Sequence, residues 1–212
     1  MLNEKEQSLV TEINNYLLRE VPNHASGHDL EHANRVLGNA LHLASFYPKA
    51  QIKIIIASSL LHDVEDRKII SSLKENHQTV IDFISSLAVF TQTDCKLIEA
   101  IIANLSYSAY KQGAKEETIE GQIVQDADRL EAIGAIGIAR AFSYGALQNR
   151  PLFINRGSEE ATLKHFTDKL FKLLPLFNTE EGKKEAQRRH LLLQEFYNEA
   201  LLENEFSLVD NK

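Results

Sequence analysis

His62 and Asp63 stand side by side at the end of IKIIIASSLL (52–61), a run apolar enough to belong in a core. An unpaired buried charge is strongly destabilising, so the doublet needs either another side chain or a metal ion. Two further stretches set polar residues beside apolar stripes. In GHDLEHANRV (27–36), His28, His32 and Arg35 fall at i, i+4 and i+7 and share an edge if the helix begins at or before His28. With Asp29 as N-cap, His32 sits in the first turn, where the helix dipole favours neutral imidazole, the form that binds metal. In IVQDADRLEAIGAIGIAR (123–140), Asp126 and Asp128 flank Ala127 inside an apolar helix.

Each piece has a structural explanation of its own. A histidine at a helix start caps or faces solvent, a His-Asp pair satisfies itself in a core, and Asp126 and Asp128 pair with Arg129 or another arginine. Together the pieces run H…HD…D, and one divalent cation would satisfy all three. His32, His62, Asp63 and Asp128 supply two neutral nitrogens and two carboxylates, which neutralise a divalent ion. In an octahedral site two positions stay open for water and a substrate oxygen. Mixed N/O ligation suits Mn²⁺, Fe²⁺, Co²⁺, Ni²⁺ or Zn²⁺ better than Ca²⁺.

The elements that must position these residues read as helix throughout, and an all-α fold is expected. Leu9, Ile13, Tyr16 and Leu17 recur at helical spacing, as do Ala33, Val36, Leu37, Ala40, Leu41 and Ala44. Helices are expected over 51–63, over 71–90 on Leu73, Val80, Phe83, Ile84 and Leu87, and over 94–104. A polar loop covers 106–121. Helix resumes over 122–146, weakened or bent at Gly134 and Gly137 unless a neighbouring backbone approaches there. After a loop at 147–160, charged amphipathic helix runs to about 203, interrupted near 174–182. No alternating strand pattern, internal repeat or composition shift interrupts this. The expectation is one helical domain over 1–212, with a core at about 20–146 and a C-terminal extension at about 158–205.

The net charge of −7 argues against a general nucleic-acid surface, which needs a basic stripe. Cys95 is the single cysteine, so neither a disulfide framework nor a cysteine zinc cluster can form. MLNEKEQSLV lacks the features of a signal peptide, and no apolar run approaches the ~20 residues of a membrane span. A cytoplasmic protein without a membrane partner is expected.

HANRV (32–36), LLHDVEDRK (60–68) and QDADRLEAIGAIGIARAF (125–142) together resemble the signature of the HD superfamily of metal-dependent phosphohydrolases. The last stretch, with the tail at 165–196, is similar to its YpgQ-like bacterial branch. The resemblance spans about 20–200. It implies an all-α HD domain with a central metal, held by His32, His62, Asp63 and Asp128, and leaves Asp126 outside the ligand position. It matches Asp66 to the acidic residue that some relatives use near the attacking water. Binuclear members add histidines between the doublet and the last aspartate, where this chain has only His77. One metal is therefore expected, Mn²⁺ foremost and Mg²⁺ among the alternatives.

The activity implied is hydrolysis of nucleoside triphosphates to monophosphates and pyrophosphate. The alternatives are a 5'-nucleotidase-type phosphomonoesterase and a non-catalytic module that senses metal or nucleotide. The expected partners are a small phosphorylated substrate, a nucleotide first, and a second copy in a homodimer. Catalysis is expected from Asp66, either holding or deprotonating the water or protonating the leaving oxygen, with Arg35 and Lys68 clamping phosphate oxygens. Lys169 and His165 are weaker candidates for the clamp. Arg35 could instead pair with Glu31 or Asp63.

Overall fold

The structure, a computed structural model, describes residues 2–20, 30–64, 78–105, 113, 115–153 and 160–206. Helix makes up 76% of it, and no strand occurs among the described residues. The described chain falls into two compact units divided after Asp128.

The first unit is built around its most apolar helix. α1 (Glu4–Glu20), α2 (Leu30–Ala44), α3 (Ile52–Leu61), α4 (Val80–Ser86) and α5 (Gln92–Leu105) precede α6 (Ile119–Glu131), which carries the chain out of the unit. α3 is buried from Ile54 to Leu61 because α1, α2 and α5 all pack against it. That surround explains a helix that is apolar on every side instead of along one stripe.

α1 buries Leu9, Ile13, Tyr16 and Leu17, the four residues read from its spacing. Tyr16 stacks on Phe83 and donates its hydroxyl to the Gln78 carbonyl at 2.6 Å, which ties α1 to the start of α4. α2 differs in one position: Leu43 is buried and Leu41 only half-buried. The cause is that α2 meets both α1 and α3, so its buried arc is wider than a single stripe.

Side chains set the helix starts. Asn3 and Glu6 cap α1 reciprocally, each backbone N–H donating to the other's side chain. Thr91 and Asp94 do the same for α5. Thr79 caps α4 and accepts from the Asp82 N–H. Of the helix expected over 71–90, residues 71–77 lie outside the described residues; α4 itself is short. α6 begins at Ile119, three residues before expectation, because the Thr118 hydroxyl takes up the Gly121 N–H.

The helix expected over 122–146 is two helices. Ile133 is extended (φ −129°, ψ 165°), and Gly134 has φ 74°, a left-handed conformation that side chains disfavour. The second unit continues from this break with α7 (Gly134–Leu147), α8 (Lys164–Asp168), two 3-10 turns (Leu170–Lys172 and Leu174–Leu176) and α9 (Glu180–Phe206). The close approach anticipated at the glycines is real at Gly137, where a Cβ would stand 2.4 Å from the Ala132 carbonyl. Phe142, Phe166, Phe171, Phe196 and Tyr197 form the aromatic core of this unit. Among the described residues no single helix is long and apolar enough to cross a membrane.

Asp94 also anchors α5 to α3. Its Oδ2 accepts from Lys53 Nζ at 2.7 Å and from the Thr91 N–H and hydroxyl. The Lys53 ammonium is the largest cause that lowers the Asp94 pKa to about 2. A depressed carboxylate pKa stabilises the fold above the unfolded value near 4, and that contribution is lost as pH falls toward 2. Asp94→Asn should therefore cost roughly 1–2 kcal/mol at neutral pH. In urea melts the gap between wild type and variant should narrow from pH 4 downward; a gap independent of pH would assign the effect to capping alone.

Candidate metal centre

Three elements of the first unit bring the site together. α2 begins at Leu30 and places His32 in its first turn, 1% exposed. The doublet lies just beyond α3: the helix ends at Leu61, and residues 62–64 form a turn closed by the Val64 N–H on the Leu61 carbonyl. The expected helix over 51–63 is thus two residues shorter at this end. Asp128 comes from the last turn of α6.

His62 Nδ1 lies 2.8 Å from the Ser59 carbonyl oxygen. A carbonyl can only accept, so Nδ1 carries the proton and Nε2 is turned toward the cluster. This second contact orients the ring and selects the tautomer that a metal requires. Nothing in the spacing of the sequence names that carbonyl, although a ring at a helix end can always reach back one turn.

Four atoms then converge. Asp63 Oδ2 is 3.2 Å from His62 Nε2 and 3.4 Å from His32 Nε2. Asp128 Oδ1 is 3.5 Å from His32 Nε2 and 3.7 Å from His62 Nε2. The ligand atoms of His32, His62 and Asp63 all lie within 4.8 Å of one another. Around an ion with bonds near 2.1 Å, neighbouring ligands stand about 3.0 Å apart in an octahedron and about 3.4 Å apart in a tetrahedron. With the proton on Nδ1, buried His62 Nε2 is an acceptor, and it meets no hydrogen-bond donor among the described residues. Asp128 is not in the group of His32, His62 and Asp63; it approaches the two imidazoles, and no close approach to Asp63 is among its contacts.

Electrostatics agrees with that reading. Burial alone would pull the His62 pKa down; the carboxylates of Asp63 and Asp128 overrule it and raise it well above its ordinary value. Burial would raise the Asp128 pKa, but His32 and His62 hold it far below the usual carboxylate range. Two carboxylates sharing one pocket call for positive charge, and a divalent cation supplies it without a proton. The histidine side chains are 2% and 4% exposed, whereas those of Asp63 and Asp128 are 23% and 34% exposed. The imidazoles form the floor and the carboxylates the wet rim, so a ligand can approach from the carboxylate side.

The other residues expected here fall as follows. Arg35 lies on α2 one turn after His32 and makes a 3.6 Å ion pair with Glu31, one of the two partners anticipated for it. Asp126 is fully buried on α6, away from the rim. His165 and Lys169 belong to the second unit, in and just after α8. Asp66, Lys68, His28, Asp29 and His77 lie outside the described residues.

Bacillus subtilis YpgQ is 33% identical to this chain over 193 residues, 91% of this chain and 92% of YpgQ. An HD-superfamily hydrolase from Bacillus thuringiensis superposes with a TM-score of 0.73 at 35% identity, over 95% of this chain and 97% of that one. The chain belongs to the YpgQ-like branch of the HD superfamily of hydrolases. The crystal structure of B. subtilis YpgQ in complex with ADP superposes with a TM-score of 0.71 at 26% identity, over 97% of this chain and 98% of that one. No family model matches the chain. The HD assignment accords with the all-α architecture and with a His/Asp cluster suited to a divalent metal.

If the cluster holds a metal in solution, a ligand that binds only the folded state raises stability by about 2.7 kcal/mol at a hundredfold excess over Kd. Mn²⁺ should therefore raise the melting temperature of the wild type, and Asp63→Ala should abolish that rise while shifting the metal-free protein less. Equal shifts by Asp63→Ala with and without Mn²⁺ would make the doublet a structural pair.

Proposed function

We propose that this HD hydrolase cleaves nucleoside triphosphates to monophosphates and pyrophosphate, with one divalent ion, Mn²⁺ foremost, held by His32, His62, Asp63 and Asp128. The observation that carries the nucleotide part is the ADP complex of YpgQ, a relative that this chain matches over nearly its whole length. The donor set supports the metal part: two neutral nitrogens and two carboxylate oxygens, converging at ligand spacing beside a solvent-reached rim.

When bound, the ion supplies Lewis acidity and charge neutralisation toward the phosphates. The remaining work falls to side chains. The Asp66 carboxylate holds the attacking water and accepts its proton. The water oxygen bonds to phosphorus, and the α–β bridging P–O bond breaks. The bridging electron pair leaves with pyrophosphate or with the monophosphate, according to which phosphorus is attacked; the products are the same. Arg35 and Lys68 donate to the non-bridging oxygens, where charge accumulates in a phosphoryl-transfer transition state. The Arg35 pair with Glu31 is consistent with this role. Glu31 is 86% exposed and the contact is 3.6 Å, so the pair is a surface one worth under about 1 kcal/mol.

A screen of ribo- and deoxyribonucleotides with Mn²⁺, assayed for phosphate before and after added pyrophosphatase, tests this. Phosphate released only after pyrophosphatase is expected. Orthophosphate released directly from monophosphates would make the protein a phosphomonoesterase, and no turnover on any nucleotide would favour a sensing module.

Asp66→Asn separates chemistry from metal binding. It should lower turnover by roughly 10²–10⁴-fold, the usual share of general acid–base catalysis. Metal content and nucleotide affinity should stay near those of the wild type, whereas His62→Ala loses metal and turnover together. Loss of metal from Asp66→Asn would make that residue a ligand.

A further inference from the structure

α3 starts without the usual means of closing a helix. Its N-cap, Gln51, is extended (φ −81°, ψ 99°), and its side chain makes no capping hydrogen bond. The first turn contains no acidic residue. A helix start leaves backbone N–H groups without an intrahelical partner, and they present partial positive charge. What is missing comes from 69 positions later in the chain: Glu120 Oε1 accepts the Gln51 N–H at 2.8 Å.

Glu120 lies in the first turn of α6 and is 6% exposed. A buried carboxylate is costly unless something compensates it. Here two helix starts do so, that of α3 through the Gln51 N–H and that of α6 through its own first turn. Glu120 therefore ties the beginning of one helix to the beginning of the other.

The far ends of the same two helices meet at the metal centre. His62 follows the last residue of α3, Asp128 lies in the last turn of α6, and Asp128 Oδ1 is 3.7 Å from His62 Nε2. α3 and α6 thus run in the same direction between two contacts, one at their starts and one at their ends. Helical rise separates these contacts by about 16 Å along α3 and about 12 Å along α6, a difference that side chains make up. The polarity of the pair suits both contacts. Positive helix ends lie at the Glu120 carboxylate, and negative ends lie where the ligand atoms would hold a cation. Register matters because α3 carries the doublet and α6 carries Asp128. A slip of α6 by one residue moves Asp128 by about 1.5 Å, several times the ~0.2 Å tolerance of a metal–ligand bond.

We propose that Glu120 is a positioning residue for the metal centre: it pins the start of α6 to the start of α3 and thereby sets where Asp128 arrives beside His62. The inference rests on the reading of the cluster as a metal site. Glu120 acts through Asp128 and touches neither metal nor substrate.

Calorimetric titration of the full chain with Mn²⁺, with amide hydrogen exchange at Gln51 in the metal-free protein, tests it. The wild type should bind Mn²⁺ and protect the Gln51 amide. Glu120→Ala should weaken Mn²⁺ binding roughly 10–100-fold, the usual cost of removing a group that holds a metal ligand in place, and should speed exchange at Gln51. Glu120→Gln keeps an acceptor oxygen in the same shape and should recover most of both. Tyr16→Phe removes the hydrogen bond to the Gln78 carbonyl, which belongs to neither contact. It should lower stability in urea and leave Mn²⁺ affinity at the wild-type value. Wild-type affinity in Glu120→Ala overturns the proposal and makes Glu120 a cap alone. It is overturned equally if Tyr16→Phe loses as much affinity, which would trace the effect to stability at large, or if Glu120→Gln recovers none. A wild type that binds no Mn²⁺ overturns the metal reading itself and this inference with it. Should Glu120→Ala not fold, Glu120→Asp takes its place, its carboxylate one methylene short of the Gln51 N–H, with the same expected loss.

Discussion

The Nδ1–H of His62 donating to the Ser59 carbonyl is the contact on which the site turns. It aims Nε2 at the point where Asp63, Asp128 and His32 also converge. Rotate that ring, and only the His32 nitrogen is left beside the two carboxylates. The contact depends in turn on α3 being held rigidly, because a carbonyl one turn back can orient a ring only if the helix end does not fray. Burial of α3 by α1, α2 and α5 supplies that rigidity. Apolar packing in the first unit is therefore part of the chemistry, since it fixes the geometry of a cluster that would not arrange itself.

The same contact explains why so apolar a helix ends in a polar doublet. In the turn at 62–64 Asp63 reaches a partly wet rim while the His62 side chain and Val64 stay buried. Desolvation and charge act against each other at both residues of the His62–Asp128 pair, and charge wins at both. A cluster in which two carboxylates hold a buried imidazole ready for protonation is one where a divalent ion replaces a proton at little structural cost.

α6 and α7 show how a short break serves two ends. The left-handed Gly134 keeps α6 from continuing far past Asp128, so Asp128 sits in a helix end tied into the first unit. Gly137 then lets α7 start against the Ala132 carbonyl. Glycines on the inward face of α7 leave Ile136, Tyr144 and Leu147 outward.

Much of this was legible in the residues themselves. Helical periodicity in Leu9, Ile13, Tyr16 and Leu17 predicted which face of α1 is buried, because a 3.6-residue repeat leaves one stripe to hide. The order of His32, His62, Asp63 and Asp128 marked residues that belong together, and the fold brings their side chains into one cluster through contacts of 3.2–3.7 Å. Three things were decided only by the tertiary structure. The doublet lies in a turn and not in a helix, because a backbone carbonyl reaches the ring; local propensity carries no record of that bond. Leu43 replaced Leu41 as the buried residue of α2, because two neighbours, not one, define its inner arc. The exposure of α7 could not be read from its apolar sequence, since an apolar pattern carries no record of which neighbours pack on it. Pattern records what each residue prefers, whereas the partner that meets the preference is chosen by segments distant in the chain.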